Sequence, residues 1–264
     1  MKLFRSALML TLGLSLAAPI ARADEPKKDT PPVPTPVKPA PPKEDPTVGA
    51  IKGAPGANNG FLKRHEGFLK DKEELLKKGP IQFLLVGDSI TDGWRGKNGK
   101  ETFEKAFGAY NPYNIGIGGD RTQHVIWRLD NGEIDGIKPK VAMLMIGTNN
   151  LGNPSNDEIA AGVTKCVTTL RAKLPDTKIL LLAIFPRAEK ATDKARARIK
   201  AINETIAKLD DGGKTIKFLD IGDKFLDADG TLPKTIMPDF LHPNAKGYGI
   251  WADAVKPTLD EMMK

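Results

Sequence analysis

Four short segments carry between them the groups needed to move an acyl group: Gly87-Asp88-Ser89, Gly118-Gly119-Asp120, Gly147-Thr148-Asn149-Asn150 and Asp239-Phe240-Leu241-His242. A serine hydroxyl is a weak nucleophile until a base takes its proton. An imidazole serves as that base when a carboxylate holds its tautomer and stabilises the imidazolium. The oxyanion that then forms needs donors aimed at it. Ser89 offers the hydroxyl, His242 the base and Asp239 the carboxylate. The candidate oxyanion donors are the backbone N–H groups of Ser89 and Gly119 and the side-chain amide of Asn149.

Each group also has a plainer reading. Asp and Ser before a helix are ordinary N-caps, and Gly87-Asp88-Ser89 is not the Gly-x-Ser-x-Gly elbow. Glycine and asparagine after strands are common in turns. The base is narrowed by elimination among three histidines. His65 lies among Lys and Glu and reads as a solvated surface residue. His124 precedes Val125-Ile126-Trp127 and reads as packing. His242 stands in a loop between Pro238 and Pro243 with an aspartate three residues ahead. Trp94, Asp120, Asn150 and Arg187 flank these segments and are candidate pocket-wall residues, as are Arg95 and Met237. Dispersed histidines and the single Cys166 form no zinc-type ligand set, and Cys166 reads as a buried small hydrophobe on a helix. Gly116-Ile117-Gly118-Gly119 lacks the full Gly-x-Gly-x-x-Gly spacing of a dinucleotide cradle.

The elements that must position these groups follow from hydrophobic periodicity. Apolar runs over 81–86, 113–117, 141–146, 179–184 and 216–219 read as strands. Near-continuous apolar character is what strands covered on both faces show. Helical patterns fall at 60–78, near 101–107, 121–131, 156–173 and 193–209, and at 245–263. This alternation predicts an α/β fold: a three-layer α/β/α sandwich on a five-stranded parallel sheet, in flavodoxin-like order 2-1-3-4-5. The first three site segments each follow a strand, where open α/β sheets place their active sites. No internal repeat is present.

Composition bounds the rest. Lys2 and Arg5 precede an apolar run over 7–20, and Ala21-Arg22-Ala23 is small at the two positions a signal peptidase reads. Residues 1–23 therefore read as a signal peptide and the protein as exported, periplasmic or secreted, with no stable membrane insertion after cleavage. Losing Lys2, Arg5 and Arg22 takes the formal charge from +7 to +4, and no basic cluster interleaved with aromatics suggests a nucleic-acid partner. A lone cysteine excludes an intrachain disulfide. Residues 24–58, centred on Pro31-Pro32-Val33-Pro34-Thr35-Pro36, read as a disordered, extended tether, leaving 59–264 as one domain.

Together these segments resemble the SGNH (GDSL-type) hydrolases, and among them the platelet-activating-factor acetylhydrolase catalytic-subunit branch. The resemblance covers about residues 80–264. It rests on Val86-Gly87-Asp88-Ser89, on 114–122, on Trp127-Arg128-Leu129, on Gly147-Thr148-Asn149-Asn150, on Phe185-Pro186-Arg187 and on Asp239-Phe240-Leu241-His242-Pro243. It implies Ser89 as nucleophile, Gly119 and Asn149 as oxyanion donors, and His242 as base with Asp239 behind it. The family's usual Gly-Asp-Ser-Leu is Gly-Asp-Ser-Ile here. A leader and a Pro-rich tether are not features of the intracellular acetylhydrolase subunits, and exported relatives act on many esters, acetylated sugars among them.

The expected activity is hydrolysis of a small acyl ester, lipid or carbohydrate, through an acyl-enzyme, with acetyl as the acyl group and no metal or organic cofactor. A carbohydrate- or wall-binding module that keeps the fold without turnover is the alternative, and metal-dependent phosphoester chemistry is a third reading.

Overall fold

The structure, a computed structural model, describes residues 44–53 and 59–264. The expected leader (1–23) and tether residues 24–43 and 54–58 lie outside the described residues.

Five strands form one parallel sheet: β1 (Phe83–Gly87), β2 (Pro112–Asn114), β3 (Val141–Met145), β4 (Lys178–Leu182) and β5 (Ile216–Leu219). Their order is β2-β1-β3-β4-β5, the order expected from the alternation of strands and helices. The sheet starts at the interior strand β1, is extended outward by the edge strand β2, and then crosses back to β3. That reversal opens a crevice at the carboxyl ends of β1 and β3.

Alternation along each strand explains the apolar runs. Leu84, Val86, Ala142, Leu144, Ile179 and Leu181 face one core. Phe83, Leu85, Val141, Met143, Leu180 and Leu182 face a second. Helices α1 (Gly60–Lys78), α4 (Thr122–Asp130), α5 (Asn156–Lys173) and α6 (Lys194–Ile206) cover the first face. Helices α3 (Lys100–Phe107) and α7 (Ala245–Met262) cover the second. A short helix, α2 (Ser89–Asp92), follows β1 directly. Among the described residues no helix is long and apolar enough to cross a membrane.

Three sequence expectations change. The strand read over 113–117 ends at Asn114, whose side chain accepts from Gly116 N–H (2.9 Å) and donates to the Thr91 carbonyl (2.8 Å). Pairing with β1 nevertheless continues through Ile115 N–H to the Leu85 carbonyl at 2.9 Å. The helix read over 193–209 stops at Ile206 and tightens into a 3-10 turn over Ala207–Leu209. Residues 44–53, read as tether, instead lie along the amino end of α4. The Pro46 carbonyl accepts from Thr122 Oγ1 (2.8 Å), Ala50 N–H donates to the Gln123 carbonyl (3.0 Å) and Glu44 accepts from Gln123 Nε2 (2.6 Å). Composition suggests a linker there because the stretch has few apolar side chains; backbone groups and the Glu44 carboxylate anchor it together with Ile51, which packs against the first core.

Candidate active site

Ser89 is the first residue of α2, capped by Asp88 Oδ1 on the Ile90 N–H at 3.0 Å. The turn from β1 into α2 is tight enough that a Cβ on Gly87 would fall 2.1 Å from Thr91 Oγ1 and 2.6 Å from the Met145 carbonyl. This turn lifts the Ser89 hydroxyl above the end of the sheet.

His242 Nε2 lies 2.8 Å from Ser89 Oγ, across 153 residues of sequence. On the other side of the ring, Nδ1 lies 2.6 Å from Asp239 Oδ2. A carboxylate there accepts from Nδ1–H, which leaves the Nε2 lone pair for the serine proton. Asp239 Oδ1 also accepts the backbone N–H groups of Leu241 (3.1 Å) and His242 (2.8 Å). Phe240, at φ 57°, holds the left-handed conformation that closes this turn, and its carbonyl accepts from Ala188 N–H at 3.0 Å. Partial burial raises the Asp239 pKa, but the hydrogen bonds and charge of His242 outweigh it and hold the carboxyl below its ordinary range. The site is open: the His242 side chain is 42% and the Asp239 side chain 56% exposed.

The Gly118-Gly119 turn lies beside the hydroxyl, since a Cβ built on Gly118 would sit 3.9 Å from Ser89 Cβ. Gly118 N–H is taken by Asp92 Oδ2 at 3.2 Å. Among the described residues the Gly119 N–H has no acceptor. Gly119 adopts φ 73°, a backbone that side-chain-bearing residues rarely adopt. Asn149, in the 3-10 turn Thr148–Asn150 after β3, donates from Nδ2 to the Asp120 carbonyl at 2.8 Å. That bond orients the amide and leaves its second N–H free to point elsewhere.

Several expected pocket residues do other work. Trp94 is fully buried among Phe103, Phe107, Tyr248 and Trp251, so it is core and not pocket wall. The second core needs a large aromatic between α3 and α7, and Trp94 fills that space. Met237 is likewise fully buried. Asn150 is buried, accepting from Thr122 N–H (3.1 Å) and donating to Gln123 Oε1 (3.1 Å), which ties the β3 turn to α4. Asp120 is fully buried, with Oδ2 accepting from Arg128 Nε at 2.9 Å. Burial raises its carboxyl to about 6 against the pull of Arg128. Arg187 is half-buried and donates to the Thr148 carbonyl at 3.2 Å, so it borders the Asn149 turn. Arg95 donates to the Gly116 carbonyl at 2.6 Å and pairs with Asp92, bracing the glycine loop from below.

The other histidines are occupied. His65 is buried, not solvated: its Nδ1 meets Glu133 Oε1 at 2.8 Å, and its ring packs edge-on against Trp127. Phe61, His65 and Phe68 share the inner face of α1, a spacing that its charged neighbours obscured. His124 Nδ1 accepts from Arg121 N–H at 3.0 Å, and burial lowers its pKa to about 4. Cys166 is buried, and burial pushes its thiol up.

Sequence reasoning missed a buried ionic chain behind the site. Arg128, fully buried, pairs with both Asp120 and Glu133, and Glu133 in turn meets His65. Arg128 lies only five residues before Glu133, but the second partner, His65, is 68 residues away on α1, and no sequence pattern marks that contact. Lys52 and Asp92 were missed as well.

Residues 85–250 match the model of the GDSL-like Lipase/Acylhydrolase family. The chain is 33% identical over 207 residues to platelet-activating factor acetylhydrolase IB subunit alpha2 of Rattus norvegicus, covering 77% of this chain and 84% of that protein. In structure it is similar to a GDSL-like lipase from Bacteroides thetaiotaomicron (TM-score 0.59, 19% identity, covering 75% of this chain and 98% of that one). It is also similar to a carbohydrate acetylesterase from Sinorhizobium meliloti (TM-score 0.53, 20% identity, covering 69% and 99%). These two likenesses are of fold.

Proposed function

From the chain's membership of the GDSL-like Lipase/Acylhydrolase family, which makes it a hydrolase acting on esters, we propose that it cleaves a small acyl ester through an acyl-enzyme on Ser89. The observation that carries this reading is the relay of Asp239 to His242 to Ser89, with contacts of 2.6 and 2.8 Å. His242 Nε2 takes the hydroxyl proton as Ser89 Oγ attacks the ester carbonyl. The oxyanion is met by the N–H groups of Ser89 and Gly119 and the free N–H of Asn149 Nδ2. His242 then gives its proton to the departing alcohol, and a water activated by the same nitrogen releases the acid. Asp239 stays ionised throughout and balances the imidazolium; its lowered pKa supports that role.

Acetyl is the proposed acyl group, supported by the name of the rat relative, an acetylhydrolase. A hydrophilic alcohol such as a sugar is the proposed leaving group, supported by the solvent exposure of the His242 and Asp239 side chains, 42% and 56%.

Ser89→Ala is expected to lower turnover of p-nitrophenyl acetate by at least ~10³-fold while the protein stays folded. A fluorophosphonate probe should label the unsubstituted protein and not the variant. Retained turnover in Ser89→Ala would remove this serine from the chemistry.

A further inference from the structure

The Lys52 ammonium, on the strap formed by 44–53, donates a hydrogen bond to the Gly118 carbonyl. That carbonyl belongs to the same peptide unit as the Gly119 N–H. In a trans peptide the C=O and N–H point in opposite directions. Fixing the carbonyl toward Lys52 therefore fixes the N–H away from it. A cation on a carbonyl oxygen also polarises the amide and strengthens its N–H as a donor.

We propose that Lys52 is a positioning residue for the oxyanion hole: its ammonium orients and polarises the Gly118–Gly119 peptide so that the Gly119 N–H is aimed and strengthened for the oxyanion. The inference rests on the hydrolase reading given above.

Four observations converge on it. Asp92 occupies the Gly118 N–H at 3.2 Å, so Gly119 supplies the available donor of the pair. Lys52 Nζ would lie 2.9 Å from a Cβ on Gly119, so the cation is packed against the turn itself. The same ammonium lies 3.9 Å from Asp120 Oδ1, a buried oxygen with no hydrogen-bond partner, and so faces the carboxylate of the next residue in the loop. Asp120 in turn supplies the carbonyl that holds Asn149 Nδ2 at 2.8 Å. One cation thus touches the segment that carries or braces both proposed donors outside Ser89. The strap is held for this purpose at both ends: Pro46 and Ala50 are bonded to α4, and the Lys52 carbonyl accepts from Asn59 Nδ2 at 3.0 Å.

The test uses the full chain carrying Lys52→Met, Lys52→Gln or Lys52→Arg, with p-nitrophenyl acetate as substrate and a trifluoromethyl ketone as a mimic of the tetrahedral adduct. Lys52→Met is expected to lower kcat about tenfold with KM within twofold, and to weaken the ketone in parallel. Lys52→Arg should restore most of kcat, because it keeps a charged donor. Lys52→Gln, an uncharged donor, should fall between the two, and it carries the test if the Met variant does not fold. Unchanged kcat in a folded neutral variant overturns the proposal. A rise in KM with kcat intact overturns it too, since Lys52 would then be a substrate contact. Ser89→Ala is run alongside. Turnover that survives it defeats the hydrolase reading itself, whereas loss there with indifference at Lys52 defeats only this inference.

Discussion

Asp88 stands immediately before Ser89 with its two carboxyl oxygens in unlike settings. Oδ1 caps Ile90, while Oδ2 is buried with no hydrogen-bond partner. Burial pushes the carboxyl up to about 7; the Ile90 hydrogen bond and the charges of His242 and Arg187 pull it down, and Asp120 adds to the rise. The folded state therefore keeps a proton that the unfolded chain gives up near pH 4. The sign follows: this group's stabilisation is complete below its unfolded pKa and is lost as pH rises toward about 7. Denaturant unfolding should show stability falling between pH 4 and 7, by on the order of a few kcal/mol for a shift of this size. Asp88→Asn keeps the cap and removes the proton, so its slope should be shallower. Some slope will remain, because Asp120 is raised in the same direction to about 6. Equal slopes in the two proteins would show that Asp88 is ionised in the fold. Residue-scale chemistry also separates the histidines: His65 and His124 are engaged by Glu133 and the Arg121 N–H, while His242 alone meets a serine hydroxyl among the described contacts.

At the scale of elements, the junction of β1 and α2 is the least forgiving part of the molecule. Gly87 pairs in register with Met145 of β3, and its missing Cβ is what lets Thr91 and the Met145 carbonyl approach. Gly87→Ala must move one of two strands or unwind α2. The expected cost is about 2–4 kcal/mol, read as a fall in Tm, together with lost turnover because Ser89 is two residues on. A variant as stable as the parent would show that the turn has slack. Arg128 does comparable work from α4. It pairs with Asp120 of the glycine loop and with Glu133, and so couples the loop to the helix that follows it. Periodicity located the helices and strands to within a few residues, since each buries a regular stripe or alternation. Where side-chain hydrogen bonds override periodicity, as at Asn114, the boundary moved.

For the whole molecule, the strap 44–53, which composition alone assigns to a tether, reaches the glycine loop beside Ser89 through the hydrogen bond from Lys52 to the Gly118 carbonyl. We propose that the stretch preceding it delivers an exported enzyme: intact mass of the protein made with its own leader should show loss of residues 1–23 and a new amino terminus at Asp24. An uncleaved Met1 form as the sole product would count against export by this route. What the sequence by itself determined is everything governed by local pattern: the five strands, their two-sided cover, the sheet order that right-handed crossovers allow, and a short list of chemically able residues at strand ends. What only the tertiary structure decided is who touches whom. Ser89 and His242 are 153 residues apart, and Lys52 and the Gly118 carbonyl 66 apart. Trp94 belongs to a core and not to a pocket, and His65 is buried against Glu133. Periodicity is a property of neighbours along the chain, whereas these contacts exist only because segments far apart in sequence are brought together by the sheet and the helices packed on it.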